Sequence, residues 1–188
     1  MSVLEIRVLG DPVLRQETVP VGTVSDHVRT LIDDMFETMH AAKGIGLAAP
    51  QVGRLERVAV VDIEGGKQPI ALVNPEIISV EGAGKVKAEE GCLSIPDVFG
   101  DVERPAQVVV RALDRNGVRF EVQATELLAR CFQHEIDHLH GKLFIDHLSV
   151  LKRRAALGKW AKQKERYPGF IRRLTEEEVR EHHHDEDL

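Results

Sequence analysis

The chain has 188 residues, of which 43% are hydrophobic and 30% charged, with a formal net charge of −6. This is enough for one domain with a real core, and the composition excludes a low-complexity or collagen-like chain. No apolar run approaches a membrane span, and two cysteines, Cys92 and Cys131, are too few for a disulfide framework.

Charge at Glu5 and Arg7 breaks the opening apolar run, so no signal-peptide core is expected. The expected location is the cytoplasm, or an organelle matrix if a transit peptide has been removed. No DNA or membrane partner is expected.

In chain order, Ser25-Asp26 precedes Val28, Leu31, Ile32, Met35, Phe36 and Met39 at helical spacing. That pattern predicts a helix from about 26 to 41, ended by Gly44. Residues 57–63 and 70–73 are short apolar runs bounded by Gly, Pro and Asn, and read as strands. Residues 106–113 and 118–124 flank Asp114-Arg115-Asn116-Gly117, whose Asn-Gly predicts a hairpin. A second helix is expected from Thr125, as N-cap, to Gly141, as the residue after its end. A third runs from Ser149 to about Arg166, and the last residues read as frayed. Strands grouped between helices, with no regular βαβ alternation, predict an α+β fold. Antiparallel or mixed strands pack around a central metal-binding helix, with an N-terminal and a C-terminal helix.

The central helix carries His134-Glu135-Ile136-Asp137-His138. Residues four apart share a helical face, so both imidazoles can reach one metal ion. Glu135 follows the first ligand and can act as general base toward a water at that ion, the logic of HExxH hydrolases. A bare HExxH also occurs by chance, and a surface helix with two histidines is the alternative. The metzincin pattern needs a third His six residues after the second, but position 144 is Phe144. His140 is too close to His138 and His147 lies past the expected helix end.

Cysteine supplies the better third ligand. Cys131 lies on the same helical stripe as the histidines, whereas Cys92 sits in the polar, flexible segment Glu90-Gly91-Cys92-Leu93-Ser94. Ligands from separate elements close a tetrahedron more easily than three from one helix, which favours Cys92. Either cysteine can instead be a small buried hydrophobe.

Gly44-Ile45-Gly46-Leu47-Ala48-Ala49-Pro50-Gln51 formally matches the G-x-G-x-x-A dinucleotide fingerprint. That fingerprint follows a strand and opens a helix; this segment follows a helix and runs into Pro50. Close approach of backbone to a ligand is the better use of its glycines, with Gln51 offering an amide donor. A plain tight connection between helix and strand is the alternative for Gly44.

Together the segments GIGLAAPQ, EGCLS and QHEIDH, in that order, resemble the peptide deformylase family in its bacterial and organellar type. The similarity runs from Val8-Leu9-Gly10-Asp11-Pro12-Val13-Leu14 to about Lys152. It implies a catalytic domain over residues 1–166; residues 167–188 have no clear family counterpart and read from their composition as an extension, acidic and flexible at its end. It also implies a hydrolase that removes the formyl group from the N-terminal formylmethionine of nascent peptides. Cys92, His134 and His138 match the family's metal ligands and Glu135 its base. The side chain of Gln51 and the backbone N–H of Leu93 match its amide donors. Backbone at Gly46 would hold the substrate strand-like, and Ile45, Leu128 and Cys131 would line the methionine pocket. Glu90 and Arg104 match a supporting ion pair. The implied cofactor is one divalent ion, Fe²⁺ in the cell, with Zn²⁺, Ni²⁺ or Co²⁺ as substitutes.

Charge is unevenly laid out. Residues 152–173 hold nine Lys/Arg against Glu165 alone, and residues 174–188 then turn acidic. The basic block is either a solvated helix face or a contact for ribosomal RNA, with Lys152, Arg153, Lys159, Lys162 and Arg166 as candidates. Trp160, Leu157 and Ala161 would face the core. His182-His183-His184 reads as tail composition.

Overall fold

The computed structural model describes residues 2–80 and 84–179. The expectations for the end of the acidic tail and for His182-His183-His184 fall outside them. Along the chain run β1 (Ile6–Arg7), α1 (Asp26–Ala41), β2 (Gly46–Ala48), β3 (Val58–Val61), β4 (Ile70–Ser79), β5 (Lys85–Cys92) and β6 (Ile95–Pro105). These are followed by β7 (Gln107–Leu113), β8 (Arg119–Thr125), α2 (Glu126–Leu139), α3 (Val150–Ala161) and β9 (Ile171–Arg172).

Five strands form one antiparallel sheet in the order β2-β3-β4-β7-β8, while β5-β6 and β1-β9 form separate antiparallel pairs. Strand side chains alternate between faces, and β3 shows the result. Val58 and Val60 pack with Leu31, Met35 and Met39 of α1, while Ala59 and Val61 pack with Phe132 and Ile136 of α2. All four β3 residues are buried, so the sheet lies between two helices as an α+β fold. A third cluster joins Val98 and Val102 of β6 to Phe144, Ala156 and Trp160.

Helix α1 has its expected bounds, with the Ser25 hydroxyl accepting from Val28 N. Its end differs in detail. Lys43, not Gly44, takes the left-handed position (φ 56°), and Gly44 N then donates to Met39 O at 2.8 Å in a Schellman closure. Helix α2 ends as expected: Gly141 has φ 67°, and its missing Cβ leaves room for the Arg15 carbonyl. Thr125 holds the N-cap position of α2, but its side chain accepts no capping bond.

Helix α3 is shorter than expected. It stops at Ala161, and residues 164–166 form a separate 3-10 turn. Its buried residues are Ala156 and Trp160, while Leu157 and Ala161 are exposed, because the helix touches the β5-β6 layer through one narrow stripe.

The β5-β6 hairpin was not anticipated. Half of β5 is exposed, including Lys85, Lys87 and Glu89, so no apolar run marks it. Cys92 therefore ends a paired strand, opposite Ile95, in place of the flexible segment expected from its polar neighbours.

Candidate metal centre

Helix α2 presents His134 and His138 one turn apart, with ring centroids 5.0 Å apart. The end of β5 brings Cys92 over the same turn. One donor atom from each of Cys92, His134 and His138 lies within 4.8 Å of the others, and Cys92 Sγ is 3.3 Å from His138 Nε2. A sulfur and two ring nitrogens suit a borderline-soft divalent ion with a position left for water.

The surroundings favour a cation. Burial alone would disfavour charge on His134, but its contacts with Cys92 and Glu90 prevail and hold its pKa well above the ordinary value. Burial, reinforced by His134, holds His138 well below it, in the neutral form that ligates a metal. His134 Nδ1 lies 3.0 Å from Glu90 Oε2, which leaves Nε2 for the ion in a carboxylate–histidine arrangement.

Glu90 is itself clamped. Arg104 donates from Nε at 2.6 Å and from Nη2 at 3.0 Å, and Arg130 donates from Nη1 at 2.6 Å. Arg130 also donates to the carbonyls of Val86 and Val102, bolting the β5-β6 hairpin to α2. Arg104 reaches Asp137 at 2.8 Å, and Asp137 contacts His147. Burial would raise the Glu90 pKa, yet His134 and Arg104 outweigh it and keep the carboxylate ionised.

Glu135 lines the same cavity as Cys92 and His134. It is 3% exposed, its Oε2 has no hydrogen-bond partner among the described residues, and burial pushes its pKa up to about 7. Gly46 lies directly against it: a Cβ there would overlap the Glu135 carboxylate and crowd Cys131 Sγ. The glycine therefore serves close packing.

Gln51 is aimed by its own backbone neighbourhood. Its Oε1 accepts from Ala48 N at 2.8 Å, which turns Nε2 toward Ser94 Oγ at 3.2 Å and Cys92 Sγ at 3.5 Å. The GIGLA segment is strand β2 followed by a 3-10 turn over Ala49–Val52, so it lacks the helix that a dinucleotide loop opens.

Cys131 stands apart from the donor group. Its thiol donates to Ile45 O at 3.4 Å, and burial, with Glu135 nearby, raises its pKa well above normal. The thiol stays protonated. Ile45, Gly46, Gln51, Cys92, Leu93, Cys131, His134 and Glu135 all line one cavity of about 690 Å³.

Leu128 does not line that cavity. It packs against the α2 core cluster, and its neighbour Leu127 faces the cavity instead, because one residue along a helix turns the side chain by about 100°. Sequence reasoning also missed Ser94, Arg130, Tyr167, Arg172, Arg173 and Glu178. Ser94 and Arg130 sit within or beside the motifs, but spacing does not reveal their partners. His140 contacts Glu17 and His147 contacts Asp137, and neither joins the donor group. Phe144, where a metzincin has its third His, stacks on His134 at 6.4 Å.

A cysteine sulfur, two imidazoles of an HExxH helix and a buried carboxylate make up a candidate metal centre in an α+β fold. Comparison with known proteins narrows the class. A family model described as polypeptide deformylase matches residues 3–154. A peptide deformylase of Hydrogenovibrio crunogenus is 54% identical over 164 residues, covering 87% of this chain and 96% of that protein. The crystal structure of a peptide deformylase from Legionella pneumophila is 49% identical with a TM-score of 0.83, covering 87% and 96% of the two chains. One from Synechococcus elongatus, solved in complex with actinonin, is 45% identical with a TM-score of 0.79, covering 84% and 86%. The chain belongs to the polypeptide deformylase family.

Proposed function

We propose that this chain is a metal-dependent hydrolase that removes the N-formyl group from the N-terminal formylmethionine of newly made polypeptides, releasing formate. One observation carries the residue assignment: Glu135, a buried carboxylate with an unpartnered oxygen, lines the same cavity as Cys92 and His134, whose donors converge with that of His138. Those three residues would hold the ion. When bound, it supplies Lewis acidity to the formyl carbonyl and lowers the pKa of a nearby water toward ~7.

Glu135 accepts a proton from that water as its oxygen bonds to the formyl carbon. A buried carboxylate at this position can accept a proton and return it. Charge develops on the formyl oxygen, where Gln51 Nε2 and Leu93 N–H donate, each such donor contributing about 3 kcal/mol in comparable oxyanion sites. Glu135 then passes its proton to the amine nitrogen as the C–N bond breaks, freeing the new N-terminus.

The strand-like substrate pose is supported by β2 being an edge strand of the five-stranded sheet, open to pairing with an extended peptide. Ile45, Leu127 and Cys131 form an apolar wall for the methionine side chain. The assignment of Fe²⁺ in the cell rests on the family resemblance, and the donor set also admits Zn²⁺, Ni²⁺ and Co²⁺. Cytoplasmic residence accords with the bacterial relatives.

The basic segment 152–173 is proposed as a ribosome contact. Lys152 is paired with Asp101, Arg153 with Asp146, Arg172 with Glu178 and Arg173 with Glu5. Exposed Lys159, Lys162 and Arg166 are the better RNA candidates.

The direct test of the function is the metal-loaded protein with formyl-Met-Ala-Ser, following formate and free amine. Stoichiometric release of both, with the Ala-Ser bond intact, is the expected result. Cleavage of internal peptide bonds without formate would show a zincin-like endopeptidase instead.

A further inference from the structure

The chain continues beyond residue 154, where the family model ends, and after α3 it turns back toward the cavity. The turn is held from several sides. Tyr167 stacks on Trp160 with ring centroids 5.7 Å apart. Gly169 and Phe170 take positive φ of 66° and 59°, and Val8 N donates to Phe170 O at 2.9 Å. The Phe170 ring lies against Gly10, where a Cβ would overlap it. Strand β9 then pairs with β1, placing Arg172 opposite Ile6. Arg172 Nη2 donates to Glu178 at 3.0 Å and Arg173 Nε to Glu5 at 2.7 Å.

This path puts Tyr167, Arg172, Arg173 and Glu178 on the wall of the same cavity that holds Cys92 and Glu135. At about 690 Å³, the cavity is in the range that takes drug-sized ligands, more than a formylated methionine fills. An extended peptide advances roughly 3.3 Å per residue, so its third to fifth residues run roughly 7–13 Å past the methionine. They must meet whatever forms the outer wall.

We propose that residues 167–178 form a subsite for the substrate peptide beyond its second residue, with Arg172 and Arg173 donating to its carbonyl and carboxylate oxygens. The proposal rests on the deformylation reading and adds a specificity element to it. Arginine carries five N–H donors and no acceptor, so it matches the acceptor oxygens of an extended chain, and acidic side chains best of all. The Arg173 side chain is 68% exposed and its partner Glu5 42%. Such surface pairs are weak, so the guanidinium can exchange Glu5 for a peptide acceptor. Arg172 is more enclosed and keeps further N–H groups beyond its bond to Glu178.

The test uses two C-terminally amidated substrates, formyl-Met-Ala and formyl-Met-Ala-Ser-Glu-Ala, so that no terminal carboxylate mimics a side chain. The measured quantity is the ratio of kcat/KM for the long peptide to that for the short one. Arg173→Ala should lower the ratio about 2- to 4-fold and the double variant with Arg172→Ala about 5- to 10-fold, the scale of one or two charge-assisted hydrogen bonds. The change should lie in KM for the long peptide. A ratio within about twofold of wild type in the double variant, with both peptides hydrolysed, overturns the subsite alone. Wild-type protein that hydrolyses neither peptide overturns the deformylation reading and the subsite with it.

Discussion

Cys92 and Cys131 carry the same side chain and line one cavity, and their surroundings assign them different chemistry. Cys92 Sγ faces His138 Nε2 and the Gln51 amide, while the Cys131 thiol is spent on a backbone carbonyl and held protonated by burial. Cys92→Ala should therefore lose tight metal binding. Cys131→Ala should keep it and change substrate affinity, measured as metal content after dialysis and as KM for a formyl peptide. Metal lost from Cys131→Ala and kept by Cys92→Ala would move the ligand onto α2. Spacing along the chain could not choose between the two sulfurs, since both stand where a ligand could. The structure brings Cys92, at the end of β5, into the donor group of His134 and His138 and leaves Cys131 outside it. His134, Glu135 and His138 were legible because helical spacing alone puts them on one turn. Arg130 was not, because its partners are a carboxylate and two carbonyls on a hairpin distant in sequence.

Elements were legible where an apolar run of their own marks them. Helix α1, strands β3, β7 and β8, and the first four residues of β4 carry such runs, whereas β4 continues to Ser79, beyond the expected 70–73. The β5-β6 hairpin is half exposed on β5 and left no such trace, although it carries Cys92, Glu90 and Arg104. Helix α3 was overextended for a related reason: its charged residues suit a helix, but only Ala156 and Trp160 tie it to the core. The docking role proposed for 152–173 is an element-scale claim. Replacing Lys159, Lys162 and Arg166 with Ala should reduce ribosome co-sedimentation, steeply with salt. Hydrolysis of a free formyl peptide should persist. Unchanged co-sedimentation at low salt would leave these residues as a solvated face.

At the scale of the whole molecule, three layers meet at one point. The sheet sits between α1 and α2, the β5-β6 hairpin lies beside α2, and the C-terminal segment closes the outer side of the cavity. Motif order and element types disclosed the first two layers, the second only through the motif it carries. The third was hidden, because a two-residue strand after a turn has no period to read. These layers share the task of burying Glu135, its Oε2 unpartnered among the described residues, on the wall of the cavity that Cys92 and His134 also line. The most direct test of that arrangement is turnover of formyl-Met-Ala-Ser by Glu135→Gln at full metal occupancy. The amide keeps the shape but cannot take a proton, so metal content should match wild type while kcat falls at least ~100-fold. A kcat near wild type with the metal fully bound would contradict the account.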